Sequence, residues 1–442
     1  MKGKLMWLSL CLCLCMIALS GCGQPQSAMP QERQSAEPQS QPASYRTVME
    51  VEDWGPAITK VIVDLGQTAQ KGAVDTDTFR VHVVRTEARP NTKLMGQAKG
   101  DREVTRAYIS DENGNQADEG NYATLEMEIG PDVSLGSPIN YSRTTSLNGW
   151  VECAYTITQR KDIPAQSGLI SGLVADQPAG EIKVLLDDFT VSEGTYDGID
   201  MKYAGYTPAQ SGKRPLIIWL NGAGEGGKDG LLPIAGNKAV NFASEEIQAY
   251  FGGAYVLAPQ APTMWMDGKT GFGDGTSIYE DALMELIQAY VAAHPGIDTD
   301  RIYLGGDSNG GYMTMLLARD HTGYFAAAFP TCEALRDTLI MEQDIQTLKD
   351  LPIWFIAAKT DTTVPVDEFV VPTYNRLVAA GARDVHLSLY EKVVDQTGLY
   401  TQKDGAPYEY YGHWSWIYVY NNDPADVIDG KTVTLMEWLA GR

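Results

Sequence analysis

Between residues 301 and 320 the chain reads RIYLGGDSNGGYMTMLLARD, an apolar strand pattern that turns abruptly into a helical one. No other stretch restricts the fold as much. A strand reversing so sharply into a helix strains the backbone at the corner, Ser308, and side chains at Gly306 or Gly310 would collide with the neighbouring elements. The run Gly306-Asp307-Ser308-Asn309-Gly310 fits G-x-S-x-G, a pattern that arises by chance but gains meaning when a strand precedes it and a helix follows. Such a corner lifts the Ser308 Oγ above a sheet and aims the backbone N–H of Asn309, at the helix start, at a developing oxyanion.

A serine hydroxyl is a weak nucleophile at neutral pH, so it needs a histidine to take its proton and an acid to hold that histidine's tautomer. The chain has five histidines. His82 lies in a β-rich N-terminal region beside Arg80 and reads as a solvated or satisfied histidine, while His294 precedes the serine strand. His321 falls at the far end of the helix that starts at Ser308, ~20 Å of rise away, and His386 lies inside the strand pattern DVHLSLY. That leaves His413, in YEYYGHWSW beyond the last strand pattern. Asp361 follows the strand pattern LPIWFIAA and so emerges at the carboxyl edge of the sheet, giving the chain order Ser, Asp, His expected of this arrangement. Asp367 and Glu368 compete for the role, but the helix beginning there accounts for acidic residues at its first turn.

The loop Asn221-Gly-Ala-Gly-Glu-Gly-Gly227 formally fits the dinucleotide fingerprint G-x-G-x-x-G. Context excludes that reading, because the acidic residues expected at the end of the next strand, Glu245 and Glu246, fall in a helical segment. A glycine loop after this strand suits a second oxyanion donor, with the N–H of Ala223 the first choice and Gly224 the next.

The rest of the chain divides by rhythm. From about residue 181 to 442, apolar strand runs (215–221, 254–260, 301–307, 351–358, 384–390) alternate with amphipathic segments such as 277–294 and 368–381, and residues 432–440 would add a closing helix. Buried strands linked by helices mark a mostly parallel sheet covered on both faces. Residues 45–180 instead show short alternating runs (58–65, 78–85, 103–110, 122–129, 151–158), with turn signals Asp111-Glu-Asn-Gly114, which predict an antiparallel β-sandwich. It has no Cys…Trp…Cys pattern of a disulfide-pinned domain.

Residues 1–21 carry Lys2 and Lys4, an apolar run (5–19) too short for a comfortable span and a small-residue end, the layout of a secretory signal. Leu19-Ser20-Gly21-Cys22 resembles a bacterial lipobox, which implies cleavage before Cys22 and a diacylglycerol on its sulfur. Residues 22–44, rich in Gln, Pro and Ser, cannot build a core and read as a tether. As a flexible coil they would span on the order of 25 Å. With 34 basic and 57 acidic residues, the net charge of −23 argues against nucleic acid and anionic membrane surfaces as partners. Of six cysteines, Cys153 and Cys332 alone remain after the signal and lipid site, in different domains, so neither a disulfide nor a zinc site is expected.

Together the phrases GPAITKVIVDLGQ, TYDGIDMKYAGYTP, LIIWLNGAGEGG, DTDRIYLGGDSNGGYMT, AAKTDTTVP and GHWSWIYVYNN resemble bacterial carboxylesterases that join an N-terminal immunoglobulin-like domain to an α/β-hydrolase domain, and more weakly polyhydroxybutyrate depolymerase-like and feruloyl esterases. The resemblance implies a Ser308, Asp361 and His413 triad, oxyanion donors at Ala223 and Asn309, a carboxylic ester as substrate, small or polymer-linked, and no metal or organic cofactor. Asn221 departs from the His that commonly precedes the glycine there. An exported lipoprotein, held at the cell membrane through Cys22 alone and facing the extracellular side or the periplasm, is the expected setting. Gly224, Trp265, Met266 and Trp414 are candidate pocket residues, although aromatics such as these and Tyr408, Tyr410, Tyr411, Trp416 and Tyr418 serve a core equally well. Cys332 reads as an inert buried thiol near the site. A peptidase of the prolyl oligopeptidase kind shares the fold and triad, and a catalytically dead binding protein is the reading from another class. The oligomeric state is not legible.

Overall fold

The structure, a computed structural model, describes residues 41–442. The signal, Cys22 and the tether through residue 40 lie outside the described residues.

The N-terminal region is a curled sheet whose strands enclose an apolar core. Its strands Gly55–Gln70, Phe79–Thr86, Val104–Ser110, Glu119–Met127 and Glu152–Gln159 overlap all but at most two residues of each of the five runs expected from the alternation. In Phe79–Thr86 every second residue (Phe79, Val81, Val83, Arg85) is buried, the period-two signature of a strand with one face on a core. Among the strands that were not expected, Gln41–Glu52 and Leu173–Lys183 pair with each other in parallel. Residues 41–44, expected to belong to the tether, are in the sheet, and the β-region runs to residue 183. A parallel pairing has no turn to announce it, and Leu173–Lys183 carries Pro178 and Gly180 in place of alternation.

The C-terminal region is built on eight strands: β1 (Thr190–Tyr196), β2 (Ile199–Tyr206), β3 (Arg214–Leu220), β4 (Tyr255–Pro259), β5 (Ile297–Asp307), β6 (Ala327–Thr331), β7 (Ile353–Ala358) and β8 (Val385–Tyr390). Their order across the sheet is β1-β2-β4-β3-β5-β6-β7-β8. All pairings from β4 to β8 are parallel; β2 alone runs against its neighbours. The β1–β2 hairpin turns at Asp197-Gly198, both with positive φ (43° and 75°), a two-residue hairpin signal present in the sequence and not read there. The closing helix spans Leu435–Ala440, because residues 431–434 pair with 425–428 as a small hairpin and Thr434 caps the helix.

β3, β6 and β7 are buried almost throughout, and β5 from Ile302 onward, sandwiched by helices such as Glu280–Ala293, whose Leu283, Leu286, Ile287 and Tyr290 form one apolar stripe. One continuous apolar cluster runs from the β-region (Val61, Val83, Ile157) into one face of this sheet (Ile217, Trp219, Phe329). Polar ties reinforce the joint. Buried Asp53 accepts from Lys238 Nζ (2.9 Å) and Asn421 Nδ2 (3.1 Å), and Trp150 Nε1 donates to Asp229 (2.9 Å).

Candidate active site

Ser308 sits between β5 and the helix Asn309–Asp320 with φ 54° and ψ −113°, a conformation that a non-glycine residue adopts only when its surroundings impose it. The surroundings are backbone. A Cβ on Gly306 would lie 2.7 Å from the Gly310 carbonyl carbon and the Leu220 oxygen, one on Gly310 would fall on the Leu220 carbonyl, and one on Gly311 would lie 2.7 Å from Glu333 Cα. The end of β3 and the chain after β6 thus close on the corner from both sides.

His413 Nε2 lies 2.8 Å from Ser308 Oγ, and its Nδ1 lies 2.7 Å from Asp361 Oδ2. With a carboxylate on one side, Nδ1 carries the proton and Nε2 is free to accept from the serine hydroxyl. The other Asp361 oxygen accepts the N–H groups of Thr363 (2.8 Å) and Val364 (2.9 Å), so this buried carboxylate is satisfied without a cation. Asp367 is exposed and Glu368 pairs with Arg336. The other histidines are engaged elsewhere: His82 with Asp101, His294 with the Tyr290 carbonyl, His321 beside Glu280, and His386 between Asp384 and Asp426.

The glycine loop after β3 forms a one-turn 3-10 helix, Ala223–Glu225. Among the described residues no protein group accepts from the backbone N–H of Ala223 or of Asn309. Asn221, where the resembling family commonly has His, is buried and bonds locally, its amide donating to the Gly222 carbonyl (2.7 Å). Ser308, His413, Ala223 and Gly224 open onto a cavity of about 920 Å³. Its second wall comes from the N-terminal β-region, with Trp54, Met95, Ile129, Val133, Tyr141 and Asn148 facing the serine's side.

Residues 44–172 match the esterase Ig-like N-terminal domain family, and residues 273–366, which contain Ser308 and Asp361, match the prolyl oligopeptidase family. The crystal structure of a thermostable esterase is 26% identical, with a TM-score of 0.73, over 90% of this chain and 98% of that one. The chain is a serine hydrolase. It joins an immunoglobulin-like domain to an α/β-hydrolase domain, as that esterase-type architecture requires. Acylaminoacyl peptidase from Pyrococcus horikoshii (12% identity, TM-score 0.40, 76% of this chain and 48% of that chain) and esterase Est22 (18%, 0.34, 48% and 74%) are also similar. No curated protein matches the sequence.

In this hydrolase Gly224 and Trp414 line the cavity, together with Tyr408, Tyr410, Tyr411 and Trp416. Trp265 and Met266 do not. Trp265 is fully buried, packed edge-on against Tyr279 in the cluster under the helix Glu280–Ala293, and the Met266 N–H is held by the Asn309 side chain (3.0 Å). Tyr418 is core, its hydroxyl accepting from the Val394 N–H (3.0 Å) and donating to the Lys392 carbonyl (2.9 Å). Cys332 is buried outside the lining, and burial pushes its thiol well above the ordinary range. What sequence reasoning missed is the immunoglobulin-like wall. Arg85 builds it, donating to the carbonyls of Ser137 (2.9 Å), Met95 (3.1 Å), Gln97 (3.0 Å) and Ile139 (3.2 Å), and no motif announces such contacts.

Proposed function

We propose that this hydrolase is a carboxylesterase that cleaves carboxylic esters through Ser308, His413 and Asp361 and a covalent acyl-enzyme. The observation that carries the reading is the unbroken relay from Asp361 through His413 to Ser308 Oγ, opening into a mostly apolar cavity. Ser308 attacks the ester carbonyl as His413 Nε2 takes its proton. The N–H groups of Ala223 and Asn309 then hold the tetrahedral oxyanion, a contribution of about 3 kcal/mol for one such donor. His413 returns the proton to the departing alcohol, and water cleaves the acyl-enzyme by the same route.

The peptidase reading uses the same relay and has the family match over residues 273–366 in its favour. A panel of acetyl, butyryl, long-acyl, feruloyl and peptide substrates separates the two, and the feruloyl and acetyl members test polysaccharide-directed chemistry. Turnover of simple esters with Ser308 labelled by a fluorophosphonate supports the esterase; peptide cleavage without ester preference overturns it. We further propose export and anchoring through a lipid on Cys22, supported by the sequence of residues 1–22. A Cys22→Ala chain that still partitions with membranes would sink that proposal.

A further inference from the structure

Two carboxyl groups lie behind the corner that carries Ser308, and the relay uses neither. Asp307 precedes the serine and Glu225 ends the 3-10 turn that bears Ala223; both side chains are buried. They converge on one backbone unit, since a Cβ on Gly222 would stand 2.5 Å from Asp307 Oδ2 and 3.1 Å from Glu225 Oε2. One amide spans them: Asn237 Nδ2 donates to Glu225 Oε2 (3.2 Å) and to Asp307 Oδ2 (3.4 Å). The remaining Glu225 oxygen accepts from Asn148 Nδ2 of the immunoglobulin-like domain (2.7 Å), and the Glu225 carbonyl accepts from Gln260 Nε2 (2.9 Å).

Among the described residues no cation compensates this pair. Lys238, next in the chain to Asn237, directs its ammonium to Asp53 and Asn421. The titratable groups facing the pair from the other elements are acids, Tyr420 from the helix Trp416–Tyr420 and Cys332 after β6. Burial pushes Glu225 up to about 7, and burial together with the Glu225 charge pushes Asp307 well above its usual range. Two bare carboxylates this close in a dry site are strongly disfavoured.

We propose that Glu225 and Asp307 share one proton and act together as a positioning element, holding the oxyanion turn 223–225 between the serine corner and Asn148 of the immunoglobulin-like wall. With the proton in place the two carboxyls tolerate each other and the turn keeps its N–H groups aimed at the reacting carbonyl. When alkali removes it, repulsion drives the Glu225 side chain, and the turn with it, away from Asp307. The inference rests on the esterase reading for its kinetic readout but not for its spectroscopic one.

The test compares the intact chain with Glu225→Gln and Glu225→Ala, using a short-chain aryl acetate and a pH series from neutral to alkaline. The intact protein should lose kcat several-fold on the alkaline side with little change in KM. Glu225→Ala should lower kcat on the order of a hundredfold at neutral pH, as a displaced donor would. Glu225→Gln should cost less and flatten the alkaline fall. An alkaline fall that is the same in Glu225→Gln as in the intact protein overturns the proposal. Infrared difference spectra supply an arm independent of turnover: at neutral pH the intact protein should show, beside the Glu333 band, a protonated-carboxyl band that Glu225→Gln shifts or removes. Equal bands in the two proteins overturn the proposal, whatever the kinetics. Failure of the intact protein to hydrolyse the acetate would count against the esterase reading, while the infrared comparison still decides the pair.

Discussion

The cavity has two walls that are made differently. On the hydrolase side the corner that carries Ser308 is held by backbone against backbone, with Gly306, Gly310 and Gly311 at distances that admit no Cβ. On the immunoglobulin-like side the wall is loops, held by buried guanidinium groups reaching carbonyls far away in sequence: Arg85 to residues 95, 97, 137 and 139, and Arg102 to Leu135, Ile58 and Glu128. Close-packed backbone suits a site where a displacement of 1 Å costs on the order of a hundredfold in rate. A wall hung on side chains can change its lining without touching the chemistry. The difference predicts a division of labour in which substitutions on one wall act on kcat and those on the other act on which substrate enters.

That division can be broken experimentally, most severely at the serine. Ser308→Ala should lower kcat on the order of 10⁴-fold or more, and Asp361→Asn by about 10⁴-fold through the wrong imidazole tautomer, both with unfolding transitions close to that of the parent. Arg85→Met should act on the other wall. Four carbonyls lose a charged donor, at a cost of about 2–3 kcal/mol of stability measured by denaturant unfolding. Its KM should rise more than its kcat falls. A variant with intact KM and depressed kcat would show that the loops act on the chemistry, and the proposed division would fail. Trp54 lines the same wall and meets the ring of Tyr400 edge-on at 4.7 Å. Trp54→Ala should raise KM for bulky esters by roughly tenfold and leave acetate esters nearly unaffected, the scale of losing one apolar contact surface.

The same contrast explains what could be read from the chain. Close backbone packing leaves a mark in sequence, because only glycine fits, so the corner at 306–310 and the apolar runs of β3, β4, β5, β7 and β8 were legible, and the chemistry of a triad then narrowed five histidines to His413. The loop wall leaves none. Arg85 reads as an ordinary polar residue in an alternating strand, and the parallel pairing of Gln41–Glu52 with Leu173–Lys183 joins segments more than a hundred residues apart with no turn between them. Trp265 stays open between pocket and core in sequence, because it follows a strand end closely, whereas in the structure it packs in the cluster under the helix Glu280–Ala293. Asp197-Gly198 was a local signal and could have placed the β1–β2 hairpin.

The two walls should also answer pH in opposite senses, the effect with the least consequence for turnover. Glu87, beside the loop wall, is held by Arg89 through both carboxylate oxygens and by Asn140, and these bonds lower it from 4.5 to about 2. Its contribution to stability is present above the ordinary carboxyl value and is lost as pH falls toward 2. Glu333, against Gly311 behind the serine corner, is fully buried with Oε1 unpartnered, and burial raises it from 4.5 to about 8. Here the unfolded chain releases a proton that the folded chain keeps, so stability falls as pH rises between about 4.5 and 8, by at most ~1.4 kcal/mol per pH unit. Glu333→Gln keeps an acceptor for the Leu335 N–H, which Glu333 Oε2 receives at 2.7 Å, and removes the proton equilibrium. Its denaturation midpoint should therefore gain on the parent as pH rises from 5 to 8. Glu87→Gln should lose against the parent at pH 7 and draw level toward pH 2. If Glu333→Gln tracks the parent at every pH, the carboxyl behind the corner is ionised in the folded chain, and the hydrolase wall is wetter than its packing implies.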